Sequence, residues 1–154
     1  MIVKQPVSRT LARAFFAIIA LSLLTSAIAL FTLASSQRDA EAINLAGSLR
    51  MQSYRLGYDI QRGSADLLPH RQAWQQTLNA PALLTLKSWY VPDEVQQRYH
   101  LLQLAWQGVN EKLDQGDYAW YQNHMDEYVA RIDAFVLSLQ HYAEHKIQLV
   151  FAIS

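Results

Sequence analysis

Cysteine is absent from this chain of 154 residues, and glycine and proline are scarce, with five and four residues. Without cysteine, a disulfide framework, a thiolate metal site and a cysteine nucleophile are all excluded, whatever the compartment. Acidic residues are absent before Asp39, whereas Lys4, Arg9 and Arg13 lie near the start of the chain. Beyond Ala34 the thirteen acidic residues outnumber the ten basic ones, which disfavours a nucleic-acid partner.

Charge is also absent from the run "AFFAIIALSLLTSAIALFTLA", which covers 14–34. Crossing a hydrocarbon layer about 30 Å thick takes roughly 20 apolar residues at about 1.5 Å each. The pattern predicts a transmembrane helix at 14–34 after a cytoplasmic segment at 1–13, because basic residues stay on the cytoplasmic side. The alternative is a cleaved secretory signal, whose apolar part is shorter, about 7 to 15 residues. Under either interpretation the residues after Ala34 are carried across the membrane.

A second apolar run, "IQLVFAIS", covers 147–154 after a polar stretch. We interpret it as the start of a second transmembrane helix that is cut short. Residues 35–146 then form an extracytoplasmic loop between two spans, which is the arrangement of a membrane receptor's input domain.

Helical spacing dominates 35–146, and no alternation of period two predicts a strand. Glycine, proline and capping residues divide this segment into four predicted helices, with boundaries at Arg62, Gly63, Ser64 or Asp66, Asn79, Pro92, Gly116 and Asp117. Apolar residues recur every three or four positions in the last two helices, at Val95, Tyr99, Leu102, Trp106, Val109 and Leu113, and at Tyr121, Met125, Tyr128, Ile132, Phe135, Leu139 and Tyr142. The predicted fold is all-α, an antiparallel four-helix bundle whose first and last helices continue into the membrane. The stretch 79–91 is either a loop or a short extra helix.

The first helix contains "NLAGSLRMQSYRLGYD", Asn44–Asp59, which has three faces at about 100° per residue. One face is predicted to pack in the bundle's own core and carries Leu45, Leu49, Leu56 and Ile60. A polar face places Arg55 and Asp59 at ion-pair spacing. The third face carries Ile43, Gly47, Arg50, Tyr54 and Gly57.

Two glycines on one helical face require an explanation, because each costs about 0.5–1 kcal/mol relative to alanine. Close approach of another helix is such an explanation, and we expect the same helix of a second chain across a two-fold axis. Arg50 of both chains would meet near that axis, and since arginine stays charged the pair requires an anion. The alternative for Arg50 is an ion pair within the chain, with an acid on the fourth helix.

The motif "DAEAINLAGSLRMQSYRL", Asp39–Leu56, closely resembles the P-box of nitrate/nitrite sensor histidine kinases of the NarX and NarQ type. The wider match, from "LARAFF" through "SSQRDAEAIN" to "WYQNHMDEYVARIDAFVLSLQHYAEHK", is most similar to the NarQ branch. The resemblance implies that nitrate or nitrite binds between the first helices of a homodimer, held by Gly47 and Arg50. We expect Ile43, Met51 and Tyr54 to support this site.

The resemblance further implies the input portion of a two-component sensor kinase in the bacterial inner membrane, with 35–146 in the periplasm. A response regulator would be its partner through cytoplasmic domains that lie beyond these residues. No enzyme activity and no cofactor are expected within this segment, ATP being the ligand of the missing kinase domain. The alternative function is a chemoreceptor-like or structural membrane-anchored bundle that binds an organic acid or a protein.

A metal site is not expected. His141 and His145 are spaced i, i+4 on one helix, but no third ligand is evident and the order differs from HExxH. Histidines exposed near the membrane end of a helix explain the pair.

Overall fold

The computed structural model describes residues 4–153, with the side chains of 7–149, 151 and 152. Its elements are α1 (Lys4–Arg62), α2 (Leu67–Leu78), α3 (Pro81–Leu84), a 3-10 turn (Thr85–Lys87), α4 (Asp93–Asp114) and α5 (Tyr118–Ile153). No strand occurs between residues 4 and 153, and the all-α class is confirmed. Residues 1–3 of the predicted cytoplasmic segment and Ser154 of the second apolar run lie outside the described residues.

The structure divides into two units, one up to Gln37 and one from Arg38 onward. In the first unit α1 is apolar and its large side chains are exposed, among them Phe15, Phe16 and Leu30. Among the described residues α1 is the one helix with the length and composition of a membrane-crossing segment. The predicted span at 14–34 lies within this helix, and both the span and the choice between anchor and signal stay predictions.

In the second unit four helices form an antiparallel bundle. Three bonds connect α1 to α5 in opposite chain directions, joining Asp39 to Lys146, Arg50 to Asp133 and Ser53 to Tyr121. The same opposed order holds between α2 and α4, where Arg71 bonds to Asp114 and the Leu78 carbonyl accepts from Tyr99. The predicted four-helix bundle is therefore confirmed.

The core of the bundle lies where the apolar spacing placed it. All six predicted core positions of α4 are buried, as are Tyr121, Tyr128, Ile132, Phe135 and Leu139 of α5, whereas Met125 and Tyr142 are partly buried against it. Trp74 of α2 stacks on Trp106 of α4 with ring centroids 4.0 Å apart. Aromatic stacking of this kind adds about 0.5–1.5 kcal/mol beyond the buried area itself.

The helix ends also agree with the turn residues. Gly63 and Gly116 have φ of 63° and 73°, in the left-handed region that terminates a helix. The Asp117 carboxylate accepts a hydrogen bond from the Trp120 backbone N at 3.2 Å, which is the N-cap of α5. Pro92 lies immediately before α4 rather than within its first turn. The stretch 79–91 contains α3 and the 3-10 turn.

Candidate anion-binding face of helix α1

The predicted site residues lie on a side of α1 that the rest of the bundle covers only in part. Arg50, Met51 and Tyr54 are exposed, and Ile43 and Gly47 are half-buried. The opposite side of the same helix is buried, with Leu49 and Leu56 in the core. One helix thus supports the bundle with one face and presents an arginine with the other.

Arg50 is not free of charged neighbours within its own chain. Its Nε donates to Oδ1 of Asp133 in α5 at 2.7 Å, and its Nη2 donates to the same oxygen. Both side chains remain about half exposed, at 50% and 46%. The alternative interpretation of Arg50, an ion pair with an acid on the last helix, is therefore present in the structure. Two of the five guanidinium N–H donors are used, and three remain for another acceptor.

The two glycines of this region have different surroundings. A Cβ added to Gly47 would meet no atom within 4 Å, so the space beside it is open. A Cβ added to Gly57 would lie 2.7 Å from Sδ of Met125, and Gln122 donates to the Gly57 carbonyl at 2.9 Å. The expectation that Gly57 faces a second chain is wrong, because its bare backbone lets α5 approach. Of the two glycines, only Gly47 has the open space that close approach of a second chain would require.

The predicted polar face of α1 also requires a correction. Asp59 is 5% exposed and binds Nδ1 of His70 in α2, rather than forming a surface pair with Arg55. The tight turn at Gly63 folds α2 back along α1 and covers this carboxylate. Arg55 is half-buried, and its Nε has no hydrogen-bond partner in the part of the chain that the structure describes.

Beneath the exposed face, a buried serine connects three helices. Ser53 Oγ accepts from Trp74 Nε1 at 3.0 Å, and the Ser53 carbonyl accepts from Tyr121 Oη at 2.6 Å. Burial raises the pKa of the Tyr121 phenol well above its usual value, so that it remains a hydrogen-bond donor. These bonds fix α1 one turn beyond Arg50 against α2 and α5.

Sequence reasoning did not single out Asp133. Its signal was an acid on the last helix outside the apolar heptad positions, but only the register of α1 against α5 shows that it lies opposite Arg50. No group of three potential metal-binding side chains occurs in the described range.

Comparison with known proteins identifies a matching family. Residues 31–133 match the family model PilJ, described as the N-terminal part of type IV pili methyl-accepting chemotaxis transducers. The chain belongs to the PilJ family. The match begins at residue 31 within α1 and ends at Asp133 of α5, and so includes the whole candidate site.

Two curated relatives extend the comparison beyond the PilJ segment. The nitrate/nitrite sensor protein NarQ of Escherichia coli K12 is 61% identical over 154 residues, which is all of this chain and 27% of that protein. A sensor protein NarQ homolog of Haemophilus influenzae is 33% identical over 147 residues, covering 95% of this chain and 26% of that protein. The resemblance to the sensor portion of NarQ-type proteins is confirmed. The chain spans about a quarter of the length of these relatives.

Proposed function

We propose that this chain is the input portion of a dimeric membrane sensor histidine kinase, and that nitrate or nitrite binds between the two copies of α1. The observation that carries the proposal is the half-exposed guanidinium of Arg50 beside the open space at Gly47. The similarity of this chain to a protein named as a nitrate/nitrite sensor supports the choice of ligand.

The chemistry of the site suits a small planar oxyanion. A guanidinium is planar and weakly hydrated, and its donors form a fork that matches two oxygens at once. Each charge-assisted hydrogen bond contributes about 1.5–3 kcal/mol. Nitrate has four heavy atoms, and a ceiling near 1.5 kcal/mol per atom limits binding to about 6 kcal/mol, or roughly tens of micromolar.

Asp133 determines how the anion couples to the bundle. The Asp133 carboxylate pairs with Arg50, so the two arginines of a dimer would repel each other less than bare cations. An anion on the axis competes with Asp133 for the donors of Arg50. Anion binding therefore weakens the ion pair between Arg50 of α1 and Asp133 of α5, whereas the bond from Lys146 to Asp39 at 2.7 Å remains.

This competition provides a route for the signal. A ligand shifts a conformational equilibrium only by its difference in affinity for the two arrangements, and release of Asp133 is such a difference. Under the proposed topology 1–13 is cytoplasmic, 14–34 spans the inner membrane, 35–146 is periplasmic and 147–154 begins a second span. A displacement of α1 relative to α5 would then reach a cytoplasmic kinase and its response regulator.

The test is calorimetric titration of nitrate, nitrite, chloride and sulfate into the membrane-anchored dimer in detergent. We expect saturable nitrate heat at one ion per dimer, with no heat from sulfate. Arg50→Ala should abolish the heat. Arg62→Ala is the matched control, because Arg62 is exposed on the same helix but pairs with Tyr58. Nitrate heat that survives Arg50→Ala would refute the site.

A second candidate function is favoured by the PilJ match, whose description names a chemotaxis transducer. In that case the same face of α1 would bind an organic acid through Arg50, and the cytoplasmic output would be a methyl-accepting coiled coil. Titration with small carboxylates beside nitrate distinguishes the ligands. The sequence that follows residue 154 in the longer protein distinguishes the outputs.

A further inference from the structure

The segment between α2 and α4 carries an exposed aromatic pair that the proposed function does not use. Trp89 is 91% exposed and Tyr90 is 59% exposed. Their rings contact each other edge to face, with centroids 6.0 Å apart and planes at 85°. An indole left almost wholly in water forgoes the large gain that burial of an aromatic ring provides.

The backbone on either side of this pair is held in a fixed position. The side-chain amide of Gln96 donates to the Ser88 carbonyl at 2.8 Å and to the Val91 carbonyl at 2.9 Å, on either side of the two aromatic residues. Leu86 and Val91 are buried in the core and anchor the segment on both sides. Little backbone entropy would therefore be lost when a partner covers the exposed rings.

The aromatic pair lies at the end of the bundle towards which α5 becomes apolar. Tyr99 of α4 packs on Phe135 of α5 with centroids 5.6 Å apart, and this fixes the two helices against each other. Along the helix axis, Asp93 at the start of α4 lies about 9 Å from Tyr99. Because α4 and α5 are antiparallel, α5 runs from Phe135 in that same direction and reaches Ile147 after about 18 Å. The exposed side chains of Ile147, Leu149 and Phe151 follow there.

We propose that Trp89 and Tyr90 insert into the headgroup layer of the bilayer and hold this end of the bundle to the membrane surface. The proposal rests on the membrane topology given above for α5. The headgroup layer adds about 5–7 Å on each side of the hydrocarbon core, and tryptophan and tyrosine are enriched in it. The start of α4 lies about 9 Å before Ile147, so the aromatic side chains have to extend towards the bilayer to enter this layer. A lipid surface is the partner that matches the residue types and the end of the bundle on which they lie.

Local charge indicates which lipids the contact requires. Lys87 is exposed beside the pair, but Asp93 and Glu94 are exposed at the start of α4. Together Lys87, Asp93 and Glu94 carry no net positive charge that would attract anionic lipid. Insertion of the rings must drive the contact, and we expect it to occur equally in zwitterionic bilayers.

Fluorescence in lipid nanodiscs tests the contact. The chain is reconstituted in zwitterionic discs with and without brominated acyl chains, which quench a nearby indole. We expect brominated lipid to quench part of the tryptophan emission and Trp89→Phe to remove that quenching. The matched control is Trp120→Phe, because Trp120 lies beside Lys112 at the opposite end of α4. Trp74 and Trp106 are buried in the core.

Emission that is unaffected by brominated lipid, or equally quenched in Trp89→Phe, would overturn the proposal. Full access of aqueous iodide to Trp89 in the discs would do the same, and would leave the segment as a surface for a soluble partner. Nitrate titration of the same discs separates this failure from failure of the ligand site. Loss of the chain from the discs after alkaline washing would refute the topology on which both depend.

Discussion

At the residue scale, Gly47 and Arg50 have the same sequence neighbourhood but different relations to their own chain. Arg50 already has a partner in Asp133, whereas Gly47 faces open space. Contacts within one chain therefore explain why an arginine is found at position 50, but they do not explain why a glycine is found at position 47. A bare position inside a long helix, with nothing against it, is what a second helix packed across a dimer axis would require.

Replacement of Gly47 by alanine tests that reasoning. Because a Cβ meets no atom within 4 Å, Gly47→Ala should stabilise the chain by about 0.5–1 kcal/mol through helix propensity, yet weaken nitrate binding by the dimer. Thermal unfolding and calorimetry measure the two effects. Gly108→Ala in α4 has equally open surroundings and should give the stabilisation alone. Unchanged nitrate affinity in Gly47→Ala would remove Gly47 from the site.

Asp133 is predicted to be a competitor rather than a ligand. Asp133→Asn removes the negative charge that holds Arg50, and since a half-exposed pair contributes about 0–1 kcal/mol, nitrate affinity should rise by up to about fivefold for each of the two pairs in the dimer. Asp126→Asn, on the exposed surface of the same helix, should leave the affinity unchanged. Weaker binding in Asp133→Asn would show that the carboxylate supports the anion site instead.

At the element scale, the position of α1 depends on the bonds around Ser53. Ser53→Ala leaves Trp74 Nε1 buried without its acceptor, and the expected cost is about 1–3 kcal/mol of unfolding free energy. Ser138→Ala is the matched control, because that buried hydroxyl bonds only to the Phe135 carbonyl of its own helix. Chemical denaturation of both variants measures the difference. Equal losses would show that the bond between α1 and α2 contributes nothing.

Helix periodicity was enough to predict the four long helices and the core faces of α4 and α5. Residues such as Tyr99, Trp106 and Ile132 are buried because one apolar stripe per helix has to face the others, and that stripe can be read from spacing alone. Gly116 and Asp117 likewise determine a helix end through local backbone chemistry. These features depend on residues within a few positions of each other.

Contacts between helices were harder to predict, because they depend on register and rotation. Asp59 has ion-pair spacing to Arg55 on one helix, but the turn at Gly63 brings His70 to it instead. Gly57 and Met125 meet only because α1 and α5 are aligned at that level. The homodimer and its ligand stay predictions for the same reason, since no spacing within one chain determines them.

At the scale of the whole molecule, buried tyrosines make the stability of the bundle sensitive to alkali. Burial raises the pKa of Tyr99 to about 12 and raises the pKa of Tyr121 and Tyr128 well above the usual value of 10.0. The unfolded chain releases these protons first, so the folded state binds more protons above about pH 10. The contribution of these tyrosines to the free energy of unfolding should be fully present below pH 10 and fall above it. The expected loss is about 1.4 kcal/mol per pH unit for each tyrosine that remains protonated in the folded state.

Tyr128 separates the cost of burial from the benefit of a hydrogen bond. Its hydroxyl is buried without a partner among the described residues, whereas the hydroxyl of Tyr99 donates to the Leu78 carbonyl at 2.6 Å. Tyr128→Phe should therefore stabilise the bundle by about 1 kcal/mol at neutral pH, and Tyr99→Phe should destabilise it by a similar amount. Both variants should show a shallower loss of stability above pH 10 in denaturant titrations. If Tyr128→Phe instead destabilised the protein at neutral pH, its hydroxyl would have to be hydrogen-bonded in solution, and the free-energy cost assigned here to its burial would be wrong.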